Sequence, residues 1–209
     1  MTEVRIPVLG YRGRTLARDI RLDIAPGECI LLAGANGCGK TTLLRAMAGG
    51  MAFFLPTGIP KVKGFTVREF IRTACYRESG WRLSPALEER ITEALAILGI
   101  TALDGRDLST LSDGEFQKAC LAIGLTRRAE LLLLDEPTAF LDVEARRSVL
   151  AAVRGLSRRS GLAVVFSSHD LVDALSIADR VAGFTPDGQF LVSDGGNREA
   201  VLDRFFHWR

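Results

Sequence analysis

The spacing of hydrophobic and polar positions divides the chain into segments of two periods. DIRLDI, residues 19–24, alternates charged and apolar residues, as a strand with one covered face does, and Pro26-Gly27 then turns the chain. ECILLA (28–33) is apolar on both faces, which predicts a central strand covered from both sides. TTLLRAMAG has helical apolar spacing and stops at Gly49-Gly50, so the first recognisable unit is strand, glycine-rich loop, helix. The middle of the chain is helical in period. TVREFIRTACYR opens with the capping-box pattern Thr66-x-x-Glu69, and SPALEERITEALAILG opens with Ser84 followed by Pro85 at the first helical position. These segments place a helical block over roughly residues 65–127. Alternation then resumes. AELLLLD (129–135) predicts a buried strand, VEARRSVLAAVRGLSRR a helix, GLAVVFSS (161–168) a strand and DLVDALSIAD a helix. RVAGFTP and QFLVSD, joined through Asp187-Gly188, predict a terminal hairpin. Strands and helices at this spacing imply a mostly parallel sheet covered by helices, with the helical block inserted between its halves.

Length and composition narrow the class. A chain of 209 residues makes one domain, or a domain with an embedded subdomain, and 47% hydrophobic with 25% charged residues is ordinary for a globular protein. A net charge of +2 gives no argument for nucleic acid or an acidic membrane, and the arginine pairs at 127–128, 146–147 and 158–159 read as solvated helix faces. No apolar run approaches the roughly 18 residues needed to span a bilayer, and MTEVRIPVLG has no signal-peptide pattern. Cys29, Cys38, Cys75 and Cys120 form no C-x-x-C pair, so neither a metal site nor a disulfide framework is expected and a reducing cytoplasm fits. A membrane would enter only through a partner protein.

The chemistry starts at GANGCGKTT. Gly34, Ala35, Asn36, Gly37, Cys38, Gly39, Lys40, Thr41 and Thr42 contain the pattern G-x-x-x-x-G-K-[ST] between a strand and a helix. Glycines let backbone N–H groups wrap phosphate oxygens, and the following helix presents its positive end. Lys40 would reach the β- and γ-phosphates, and the Thr41 hydroxyl would ligate Mg²⁺. The alternative is a glycine-rich turn that binds nothing, and the loop alone leaves kinases, GTPases and mechanical ATPases open. LLLLDEPT puts Asp135 and Glu136 at the carboxyl edge of the sheet, where α/β ligands bind. Asp135 suits the Mg²⁺ shell, and Glu136 suits a base that orients or deprotonates an attacking water. VVFSSHD ends a second strand in a polar cluster tipped by His169, which on an adjacent strand end is placed to sense a γ-phosphate. TLSDGEFQKACLAIGL opens with a further capping box, Ser112-x-x-Glu115, whose helix N-terminus is also an anion site.

Glycine loop, LSDGE, LLLLDEPT and SSHD, in this order over nearly the full length, resemble the ATP-binding cassette ATPases. The resemblance implies an α/β P-loop NTPase (RecA-like) core with the helical signature subdomain inserted at 65–127 and a shortened N-terminal β-subdomain. It implies ATP and Mg²⁺ as cofactors, hydrolysis by Glu136 with Lys40 and His169, and a homodimer around two ATP molecules. In such a dimer Ser112, Asp113, Gly114 and Glu115 of one copy contact the γ-phosphate held by the other. Phe140, Leu141 and Asp142 match the loop that crosses the dimer, and Tyr11 matches the aromatic that stacks on adenine. One departure stands out. Thr57 occupies the position where the family carries a glutamine that helps bind Mg²⁺ and links ATP to the membrane partner, and the preceding hairpin region is largely missing. The wording LSDGEFQK, LDEPTAFLD and SSHDL is most similar to ATPases of iron–siderophore, haem and cobalamin importers, which work beneath transmembrane permease subunits on the inner face of the cell membrane. A haem exporter ATPase of cytochrome maturation and a soluble cassette ATPase acting on DNA or ribosomes stay open beside that reading.

Overall fold

A computed structural model describes residues 1–75 and 84–206. Its centre is a six-stranded sheet in the order β4-β5-β6-β3-β7-β8. β3 (Cys29–Ala33), β4 (Ala52–Leu55), β5 (Leu131–Leu134), β6 (Ala163–Ser167) and β7 (Arg180–Phe184) run parallel, and β8 (Phe190–Val192) closes the edge antiparallel to β7. β3, β5 and β6 are buried at every position, as strands covered on both faces require. Alternate side chains therefore enter two different cores. Cys29, Leu31 and Ala33 pack with the helices on one face, while Ile30 and Leu32 pack with Leu43, Leu44 and the underside of a separate hairpin on the other.

That hairpin is a two-stranded antiparallel ribbon of β1 (Thr2–Tyr11) and β2 (Arg14–Ile24), the small N-terminal β-layer. α1 (Lys40–Met47) lies between it and the sheet. α2 (Val67–Ala74), α3 (Pro85–Ile97) and α4 (Asp113–Thr126) form the helical middle of the chain, and α5 (Val143–Ser160), α6 (Leu171–Ile177) and α7 (Arg198–Phe206) complete the other face. Both capping boxes form. Thr66 and Ser112 each accept from the N–H three residues on, and Glu69 and Glu115 reach back to the cap N–H. Ser84 caps α3 without a side-chain bond, leaving Pro85 to start it. The end of TVREFIRTACYR, Tyr76-Arg77, lies outside the described residues.

Arg68 ties the helical middle together through a bidentate pair with Asp104 and a bond to Glu88 at 2.8 Å, and Arg72 holds the other oxygen of Glu88 at 2.7 Å. α4 reaches into the main core. It is buried almost all round, and Gly124 sits where an added Cβ would come within 2.9 Å of Leu132 on β5.

Candidate active site

The glycine loop joins β3 to α1 at the carboxyl edge of the sheet. Its geometry demands glycine at two points in particular. Gly34 has φ +136°, and a Cβ there would strike the Cys38 sulfur at 2.9 Å, while Gly39 has φ +116° and caps α1. No side chain caps α1, so its first N–H groups face the loop interior, as an anion cradle requires. Lys40 is only 8% exposed and lies folded into the loop, its Nζ donating to the carbonyls of Gly34 (2.8 Å) and Ala35 (3.1 Å). A phosphate arriving over the loop would meet this charge at its base. Burial pushes the Cys38 thiol up, partly offset by the Lys40 charge.

The carboxylates come from the end of β5. Asp135 is 7% exposed and accepts from the Thr41 hydroxyl at 2.9 Å and from the Ser167 hydroxyl at 3.0 Å. Ser167 also accepts from the Glu136 N–H at 2.9 Å, so one hydroxyl at the end of β6 fixes both acidic residues. The chain turns sharply there. Glu136 has φ +50°, a conformation uncommon for a side-chain-bearing residue and found where the surrounding structure enforces it. The turn carries its carboxylate to within 2.6 Å of His169 Nε2. Thr57, following β4, donates its hydroxyl to the Asp135 carbonyl. Thr41, Thr57, Asp135, Glu136 and His169 thus meet at one edge although they span more than half the sequence.

Ser112, Asp113, Gly114 and Glu115 start α4 elsewhere. Among the described residues no hydrogen bond or ion pair joins them to the glycine loop of the same chain; instead Asp113 and Glu136 line one open cavity of about 410 Å³. The Ser112 N–H bond, helped by the Ser112 side chain and the Arg106 and Lys118 charges, pulls Glu115 below the usual carboxylate range. Asp142 caps α5 by accepting from the Ala145 N–H at 2.8 Å. Tyr11 ends β1, 54% exposed, with the Arg12 guanidinium 5.3 Å from its ring centre. It is not among the walls of the roughly 270 Å³ cavity beside the glycine loop, whose sides include Arg14, Leu16, Asn36 and Cys38. Ser167 was missed by sequence reading, although the polar pair that ends VVFSS was its visible signal.

The oxygen donors at this edge, a threonine hydroxyl and a carboxylate, are those a hard divalent cation takes. No group of three or more His, Cys, Asp or Glu among the described residues could hold a metal by itself, so phosphate oxygens and water would have to complete the shell. Bound there, Mg²⁺ would neutralise charge on a phosphate chain.

Comparisons with known proteins bear on the family and the fold. The family model described as ABC transporter matches residues 17–53 and 55–139. The zinc import ATP-binding protein ZnuC of Roseobacter denitrificans is 35% identical over 83% of this chain and 71% of its own length. The petrobactin import ATP-binding protein FpuD of Bacillus anthracis is 29% identical over 96% of this chain and 82% of its own. A spermidine/putrescine import ATP-binding protein, PotA of Mesoplasma florum, is 32% identical over 86% of this chain, which spans only 57% of that relative. In fold, the chain superposes on an ATP-binding cassette of an ABC transporter in its ADP conformation with a TM-score of 0.82, at 18% identity, covering 97% of this chain and 96% of that one. A family model over more than half of the chain and a relative 35% identical over 83% of it show the family: the chain belongs to the ABC transporter family as one of its ATP-binding cassettes.

Proposed function

We propose that the chain is the ATP-hydrolysing subunit of a membrane importer, bound to transmembrane permease subunits on the cytoplasmic face and acting as a homodimer. The observation that carries the catalytic part is the meeting of Thr41, Asp135, Glu136 and His169 at one sheet edge, directly beside the glycine loop. In this reading Lys40 and the N–H groups of residues 34–42 hold the phosphates. Thr41 and Asp135 would hold Mg²⁺, and Thr57, whose hydroxyl bonds the Asp135 carbonyl, would contribute through water. Glu136 takes a proton from the attacking water, and His169 orients Glu136 and faces the γ-phosphate. Tyr11 stacks on the base. Ser112, Asp113, Gly114 and Glu115 complete the site of a second copy, and Asp142 lies at the crossing between copies. The helical segment 65–127 is the subdomain that carries this second surface.

No helix among the described residues is long and apolar enough to cross a membrane, which fits a subunit reaching the membrane through a permease. Relatives named for zinc, petrobactin and polyamine import support import over export, and the sequence wording supports a metal chelate such as an iron–siderophore, haem or cobalamin as cargo.

The test is phosphate release by the purified chain with Glu136→Gln beside it. The substitution keeps size and hydrogen bonding but removes the base. Turnover should fall by at least about a hundred-fold while Mg-ATP binding persists. A variant that turns over at the parent rate removes Glu136 as the base.

A further inference from the structure

The segment between β4 and α2, residues 56–66, is held at three points along its length. At its start, the Thr57 hydroxyl donates to the Asp135 carbonyl, at the catalytic strand end. In its middle, Lys61 Nζ donates to the Leu111 carbonyl at 2.7 Å and pairs with the Asp113 carboxylate at 2.6 Å, and it lies over the Phe116 ring, 5.9 Å from the ring centre. At its far end, the Gly64 N–H donates to Asp107 Oδ2 at 2.7 Å, and the Leu108 N–H donates to the Phe65 carbonyl at 2.9 Å. One short stretch of chain therefore links the catalytic edge to the N-terminus of α4.

We propose that Lys61 is a positioning residue for ATP hydrolysis: it fixes Ser112–Glu115 relative to the Asp135–Glu136 strand end. The proposal rests on the cassette-ATPase reading above. Three features assign the role to Lys61. Its side chain is only 25% exposed, so the ammonium is not a free surface charge. It grips the segment Leu111–Asp113 by one backbone and one carboxylate oxygen, fixing both position and orientation. It also sits four residues from Thr57, so a shift of the catalytic strand end is passed to α4 along five residues that include Pro60. Lys61 touches no group that Thr41, Asp135, Glu136 or His169 uses, and acts only through the segment it holds.

The experiment compares Lys61→Met, which keeps the stem and removes the charge, with Lys61→Arg and with Lys61→Met in an Asp113→Asn background. ATP affinity of the single chain, kcat and thermal midpoint are read for each purified full chain. Lys61→Met should bind ATP as the parent does and shift its midpoint by no more than about 2–4 °C, yet lose about five-fold in kcat, the size expected for a partly exposed charge-assisted grip. Lys61→Arg should recover most of the loss. The loss caused by Lys61→Met should shrink in the Asp113→Asn background, where half of the grip is already gone. Parent-like kcat in Lys61→Met overturns the proposal, as does the same fold-loss in both backgrounds or a loss that follows the midpoint. A parent chain without ATPase activity would instead overturn the cassette-ATPase reading, so the two failures are distinguishable.

Discussion

Glu136 sits in a left-handed backbone turn and meets His169, and neither fact could be read from LLLLDEPT or SSHD alone. At the residue scale, what was legible is what local geometry dictates. GANGCGKT specifies its own loop, because glycines at 34 and 39 are required by positive φ whatever the rest of the chain does. Ser167 and Lys61 escaped because their partners are distant in sequence, and a serine or lysine has no period to betray a tertiary bond. Cys38 lends itself to a test at this scale. Burial holds its thiol above the ordinary value, so little thiolate exists at neutral pH despite the nearby Lys40. Cys29, Cys75 and Cys120 are buried, and burial pushes Cys120 up to about 12. Labelling by iodoacetamide should therefore fall on Cys38, run slowly at pH 7 and rise about ten-fold per pH unit toward its pKa. Mg-ATP should slow it, since an adduct at Cys38 and a phosphate in the loop compete for space. Mass spectrometry of parent and Cys38→Ser protein checks this; fast labelling at pH 7 that ignores ATP would contradict both the burial and the site.

Element by element, period and punctuation identified β2, β3, α1, the two capping-box helices, α3, β5, α5, β6, α6 and the closing hairpin. β1 was not assigned. Pro7 interrupts its alternation, and it is tolerated because this strand pairs on one side only, in a two-stranded ribbon with a bulge at Leu9/Gly10. α7 was also unassigned, being short and mixed in polarity, with Phe205 as its one buried anchor. The junction that knits these elements is Asp179, between α6 and β7. Its carboxylate accepts from the Cys29 N–H at 2.9 Å and from Arg154 at 2.6 and 2.8 Å, with Arg158 at 2.9 Å. Burial pushes this carboxyl up, but the Arg154 and Cys29 bonds and the arginine charges outweigh it, so the net shift is downward. A carboxyl lowered on folding contributes stability above its unfolded value of about 3.9, and that contribution is lost as pH falls through the folded value. Asp179→Asn should thus destabilise the fold by about 2 kcal/mol at pH 7, a thermal midpoint lower by about 4–8 °C. The gap between parent and variant should narrow below about pH 4. Denaturant titrations at pH 7 and pH 3.5 check it, and a gap that stays constant with pH would assign the effect to packing instead of charge.

For the whole molecule, alternation predicted a parallel sheet with helices on both faces but could not give the order β4-β5-β6-β3-β7-β8, which depends on which strands find each other across long crossovers. That order places the glycine-loop strand β3 beside β6, and β5 on the other side of β6, so the Asp-Glu end and the histidine end converge on the loop. The same edge carries an apolar surface that one chain leaves uncovered. Phe140 is 91% exposed at φ +66°, and Val172 is 82% exposed across a shared open cavity that also includes Arg146 and His169. Under the proposed homodimer, this surface is where the second copy would sit. In a twofold dimer each copy would bury its Phe140 against the other, and removing that burial forfeits about 1.5–3 kcal/mol per side chain, twice by symmetry. Phe140→Asp should leave the monomer's thermal midpoint unchanged, because the ring touches no core. In a Glu136→Gln background, which stalls hydrolysis, it should raise the dimer dissociation constant at saturating Mg-ATP by at least about a hundred-fold. Light scattering across protein concentrations reads this directly. A Phe140→Asp variant that dimerises as tightly as the Glu136→Gln parent would move the dimer contact away from this edge, and with it the assignment of Asp142 to the crossing.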